Sequence, residues 1–159
     1  MKKIIFSIIC IVSVCFIASC KKALPDPGAT SAVKVSNEWR ANLYQGGVAQ
    51  NASASKFATY NVAGSSDSIW IDDFGKLWNF KCKVKYDPIN LTFQTTNSVN
   101  EYYPISITIT NGKIFPKAGK SATGVVTDSI YMKVVFSDDP GAYEIKGTGR
   151  TNWLADGVN

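Results

Sequence analysis

Between Trp78 and Tyr86 the chain alternates apolar and polar residues without a break, and this period of two leaves little choice of fold. Trp78, Phe80, Cys82, Val84 and Tyr86 occupy one phase, and Asn79, Lys81, Lys83 and Lys85 the other. Successive strand side chains point to opposite sides, so the segment reads as a strand with one buried and one wet face. The same period recurs along the chain. Ile89, Leu91 and Phe93 alternate with Asn90, Thr92 and Gln94 after an Asp87-Pro88 turn. Ile105, Ile107 and Ile109 follow, then Ile130, Met132, Val134 and Phe136. The last phase runs Tyr143, Ile145, Gly147, Gly149, Thr151 and Trp153. Its two glycines predict a sharply coiled strand, as at a barrel closure. Asn111-Gly112 predicts a hairpin turn, because both residues tolerate positive φ, and Asp138-Asp139-Pro140-Gly141 is turn chemistry. No long segment carries a helical period. The pattern predicts an all-β domain, an antiparallel up-and-down barrel of about eight strands, with a β-sandwich as the alternative. A barrel of that size holds packed side chains or one small ligand.

The N-terminus carries a different signal. Lys2 and Lys3 precede an uncharged apolar run of fourteen residues, Ile4 to Ile17. Such a run is short for a bilayer span, which needs about 20 residues, and suits a signal peptide. It ends in Ile17-Ala18-Ser19-Cys20, which resembles the lipobox of bacterial lipoproteins. That resemblance implies cleavage before Cys20 and attachment of acyl chains such as palmitate to it, anchoring the protein to the membrane. The expected organisation is a signal peptide over 1–19, a lipidated Cys20 with a flexible Pro/Ala/Ser/Lys-rich tether over 20–35, and the β domain over 36–159. Processing would remove Cys10 and Cys15, and lipid would take Cys20. Cys82 is then the one thiol left for the domain, so no disulfide is expected and the fold must rest on its core.

Composition narrows the chemistry. The formal net charge is +5, two of those charges lie in the signal segment, and no basic stripe is interleaved with aromatics, which argues against nucleic acid. The chain has no histidine, which removes His-based triads and His metal sites. "SSDSIWIDDFG" (65–75) concentrates Asp67, Ser68, Asp72 and Asp73. Neither Ser68 nor Ser129 begins a Ser-x-x-Lys motif. Asp72 and Asp73 are adjacent, and neighbours in a strand face opposite ways, a poor start for the carboxylate pair of glycoside hydrolysis. The Asp clusters also lack the alternation of a calcium loop. No catalytic residue, metal or cofactor is assigned. Asp-Ser-Ile opens two strand patterns, at Ser68 and Ser129. Both match a motif resembling the O-glycosylation acceptor of some Gram-negative bacteria.

Taken together, Asp67-Ser68-Ile69-Trp70-Ile71-Asp72-Asp73, Trp78 with its alternating strand, Asn111-Gly112-Lys113-Ile114, Thr127-Asp128-Ser129-Ile130, Asp138-Asp139-Pro140 and Gly149-Arg150-Thr151 resemble a family of small Gram-negative lipoproteins, catalogued as lipid-binding putative hydrolases. The resemblance runs from about Trp39 to Trp153. It implies a calycin-like, lipocalin-type barrel and a lipid or other apolar ligand, and it transfers no catalytic residues. The favoured reading is a non-catalytic lipoprotein, anchored on the periplasmic side or the surface of the outer membrane, that holds a small apolar ligand. The alternative is an accessory envelope protein that binds a protein or glycan through its outer face, and a weak hydrolase is third. If the barrel holds a pocket, Trp39, Trp70, Trp78, Tyr103 and Trp153 are expected around it. Arg150 is expected to pair with Asp72, Asp73 or Asp128, or to meet an anionic head group.

Overall fold

A computed structural model describes residues 28–151 and 153–156. The strands are β1 (Asn37–Gln45), β2 (Val48–Ala49), β3 (Ser55–Asn61), β4 (Ser68–Asp72), β5 (Lys81–Asp87), β6 (Thr92–Val99), β7 (Ser106–Lys120), β8 (Val126–Phe136) and β9 (Ala142–Gly149). All pairings are antiparallel. β1 pairs with β3, each later strand pairs with its successor, and β9 returns to β1 from Trp39↔Gly149 to Gln45↔Tyr143. The result is a closed eight-stranded up-and-down barrel, with β2 as a two-residue tab on β1. Among the described strands, closure leaves only the short β2 tab with an unpaired edge. One turn of 3-10 helix, Leu154–Asp156, follows β9.

The alternating phases fall where the period of two puts them. Ile69, Ile71, Cys82, Val84, Ile107, Ile109, Ile130, Met132, Val134, Phe136 and Ile145 are buried inside. Cys82 is a free, buried thiol, and burial pushes its pKa up to about 12, so it acts as a small hydrophobe. Gly147 is required by closure: a Cβ there would stand 2.7 Å from the Arg40 carbonyl oxygen on β1.

Both mouths of the barrel are stoppered. At the end where β1 begins, Ala32 and Val35 are buried in the core. The Thr59 hydroxyl ties this segment down, donating to the Val35 carbonyl at 2.5 Å while accepting from the Trp39 indole N–H at 3.0 Å. The expected tether over 20–35 therefore overlaps a packed plug at its C-terminal end. Its remainder, with the signal segment and Cys20, lies outside the described residues. At the opposite end, the loop from Phe74 to Phe80 folds inward. Trp78 stacks on Phe136 at 4.7 Å with rings 4° apart, Tyr143 lies 4.8 Å from Trp78, and Phe80 meets Phe136 edge-on at 5.3 Å.

Three local expectations are corrected. Trp78 does not begin a strand. β5 starts at Lys81, and Phe74 and Asn79 take positive φ (51° and 64°), because Asp73 gathers the loop around its carboxylate. Ile89 and Leu91 also lie outside a strand. Asp87 caps the turn through Ile89 N and Asn90 N (2.8 and 3.1 Å), Leu91 has φ 55°, and β6 begins at Thr92. Asn111-Gly112 makes a bulge within the continuous β7 instead of a hairpin: the register with β8 shifts between Thr110 and Lys113. Asn111 does take positive φ, 55°, and Gly112 does not, so the backbone expectation holds for Asn111 alone and Gly112 serves by its missing Cβ.

Candidate functional site

The Asp-rich stretch resolves into two separate structural devices. Asp73 is fully buried and accepts five backbone N–H groups. Gly75 and Phe80 reach Oδ1 at 2.8 Å each, and Leu77, Trp78 and Asn79 reach Oδ2 at 3.1, 2.7 and 2.8 Å. This carboxylate stands in for the hydrogen bonds that the loop's backbone lacks. Asp72 points the other way, onto the outer wall. It accepts the Tyr60 and Tyr102 hydroxyls at 2.8 and 2.6 Å, with Lys81 Nζ 3.8 Å away. Every oxygen of both carboxylates is committed to holding backbone or tyrosine, so the two do not share a reacting atom.

The tryptophans do not converge. Trp39 is a buried core residue, and Trp78 is part of the stopper. Trp70 lies on the outer wall of β4, with Lys81 and Lys83 Nζ 4.9 and 4.7 Å from its ring centroid. Trp153 is 67% exposed beyond β9. Tyr103 donates to Asp138 at 2.8 Å in the β6–β7 loop. Arg150 pairs with Glu38 on β1, a partner outside the three expected. That pairing holds the Glu38 carboxyl below its ordinary pKa. Ser68 donates to Asp67 at 2.8 Å on the wall, and Ser129 is half-buried within β8, opposite Phe115 and Thr148.

Two clefts open on the outer wall. The larger, about 700 Å³, forms where β7 bends at the Asn111-Gly112 bulge. Gly112 is needed there: a Cβ would stand 2.3 Å from the Phe93 carbonyl oxygen and 2.4 Å from its ring. The cleft is lined by Lys85, Tyr86 and Asp87 of β5, Thr92, Phe93 and Gln94 of β6, Lys113 and Phe115 of β7 and Tyr131 of β8. Most of these point outward. The Tyr131 hydroxyl donates to Glu144 at 2.8 Å; burial, then this bond, raises its pKa. Lys113 Nζ sits 5.4 Å from the Phe115 ring centroid. Lys85 pairs with Asp67, and this contact, with help from Ser68 and Ser65, pulls the Asp67 carboxyl down to about 2. The arrangement joins aromatic faces to the Lys113 ammonium group, with the Lys85–Asp67 pair beside it. The lining's one carboxylate, Asp87, is taken up by Ile89 N, Asn90 N and Asn90 Nδ2. Such a surface can hold an apolar chain and an anionic head.

The smaller cleft, about 410 Å³, lies across β1 and β9 and is lined by Arg40, Ser53, Ser121, Thr148, Arg150 and Asp156 among others. Neither cleft contains two carboxylates or a Ser-Lys contact. Among the described residues no group of three His, Cys, Asp or Glu could hold a metal.

The expected set of Trp39, Trp70, Trp78, Tyr103, Arg150 and Trp153 contributes nothing to the larger cleft, and Arg150 alone lines the smaller. Sequence reasoning placed the ligand inside and so passed over Phe115 and Tyr131. Their signal was present: large aromatics in the wet phase of an alternating strand.

The profile of the family described as "Lipid-binding putative hydrolase" matches residues 24–154. No curated protein matches the chain.

Proposed function

The chain belongs to the lipid-binding putative hydrolase family, and from that premise we propose a non-catalytic lipoprotein that binds an anionic amphiphile in the larger wall cleft. Lipid on Cys20 would hold it to the outer membrane, on the periplasmic side or at the cell surface. The observation that carries the binding reading is the cleft itself. Its volume of about 700 Å³ falls in the range of small-molecule sites, about 300–1,000 Å³. Phe115 and Tyr131, with the half-buried Tyr86 beside them, offer the apolar wall, and Lys113 the charge for a carboxylate or phosphate head, Lys85 being shared with Asp67. The lumen is already occupied: Trp39, Phe57, Phe80, Phe136, Met132 and Leu43 are among its fully buried side chains. The wall is therefore a better host than the interior.

Binding of a fluorescent fatty acid to the full-length protein tests this. Lys113→Glu removes one attraction and adds a repulsion, so affinity should fall about tenfold or more, the equivalent of one charge-assisted hydrogen bond of roughly 1.5–3 kcal/mol. Lys133→Glu, on the outer wall outside the cleft, serves as the control and should change little. Equal affinity in both variants would remove the cleft from the reading.

A further inference from the structure

The up-and-down topology gathers to one end of the barrel the segment before β1, the β5–β6 turn, the β7–β8 hairpin and the chain after β9. That end carries half of the large apolar side chains that the described residues leave in solvent, the two most exposed among them: Val33 (55% exposed), Ile89 (87%), Val126 (58%), Trp153 (67%) and Leu154 (81%), with Val125 at 40%. The last turn is held against the hairpin, with Thr123 N donating to Asp156 Oδ1 at 2.6 Å and Thr123 Oγ1 to Oδ2 at 2.9 Å. Lys34, Lys117 and Lys120 are exposed at the same end. Among the described residues they join no ion pair. The acids nearby are engaged locally: Asp67 with Lys85, Asp87 with its own turn, Asp128 with Lys117 N at 2.7 Å, and Asp156 with Thr123. The opposite end bears Glu101, Asp138 and Asp139 against Lys76, and fewer exposed apolar groups, Val48, Phe74, Val99 and Tyr102.

We infer that this apolar, lysine-rich end seats directly on an anionic lipid bilayer. Exposed Trp and aliphatic side chains ringed by lysine suit the boundary between head groups and acyl chains. Anionic lipid attracts the basic end and turns the acidic end away. The chain enters the described residues at Gly28, at this same end and eight residues after Cys20. That length reaches at most about 28 Å fully extended, so a lipid on Cys20 would keep this end within range of the surface. The seating rests on the anchored reading above, but it does not require the wall cleft to hold a ligand.

The test uses the full-length lipidated protein on phosphatidylglycerol-containing vesicles that carry a nitroxide-labelled phospholipid. Co-sedimentation reports the anchor, and quenching of tryptophan fluorescence reports the face. Quenching should appear in the native protein and be mostly lost in Trp153→Phe, because Trp39 is buried and Trp70 lies on the wall. It should also be lost in the double variant Val126→Asp/Leu154→Asp, which still sediments and keeps a native circular dichroism spectrum. Sedimentation without quenching, or quenching that persists in Trp153→Phe, overturns the seating and leaves the anchor standing. Failure of the native protein to sediment overturns both.

Discussion

Asp73 accepts five backbone N–H groups, so one buried carboxylate replaces the strand partners that the 74–80 loop gives up. Asp73→Asn keeps the size but loses one acceptor oxygen and the charge. It leaves Leu77, Trp78 and Asn79 N–H groups facing an amide. We expect a loss of about 3–5 kcal/mol in urea unfolding, in line with the removal of a buried, charge-assisted network. The Trp78 emission should shift toward that of solvated indole. Asp67 behaves differently, since it is exposed and its contribution is a matter of pH. Its carboxyl, held at about 2 by Lys85, sits below the unfolded chain's value, so the Asp67–Lys85 contact favours the fold above about pH 4. That contribution is lost as pH falls through 2. An NMR titration should find Asp67 charged after most other carboxylates have been protonated, and in Lys85→Met its midpoint should rise toward the ordinary carboxylate value.

The bulge is the element that makes the wall concave. Asn111 supplies positive φ, and Gly112 admits the Phe93 backbone and ring. Gly112→Ala forces a methyl group to within 2.3 Å of a carbonyl oxygen. It should cost about 1–3 kcal/mol of stability by overpacking and flatten the cleft, which thermal melting and fatty-acid binding would both record. The Asn-Gly pair also shows how far the sequence could be read. The strand phases were legible because burial on one face enforces the period of two. Ile130, Met132, Val134 and Phe136 all point inward as the alternation required. The dipeptide's meaning was not legible, because a hairpin and a bulge both draw on an Asn at positive φ and a Gly without a Cβ, and only the partners of β7 on both sides distinguish them. Trp78 misled for a related reason. It keeps the apolar phase of β5, yet it is buried from a loop, and the acceptor that shapes this loop lies five residues upstream.

At the scale of the molecule, the barrel is a filled cylinder with stoppers at both ends and two clefts on its outside. All-β class, closure and strand number follow from the sequence pattern, because eight alternating strands joined by short turns have few ways to bury one face. The site did not follow. Whether aromatic residues fill a lumen or line a pocket depends on how loops fold over the mouths, and the inward turn of 74–80 and of 31–35 decides it here. Arg150 shows the same limit: its ion pair is with Glu38, 112 residues away in sequence, a contact created by barrel closure. The central claim is that an amphiphile binds on the wall while the lumen stays shut. The most direct measurement is photo-crosslinking of a diazirine-bearing fatty acid to the full-length protein, followed by peptide mapping. The account predicts label on Phe115 and Tyr131, which line the cleft from the outward phase of β7 and β8. Label on Trp39, Phe57 or Met132 would show an opened lumen and contradict the wall site, and saturable binding with label at neither place would contradict it as well.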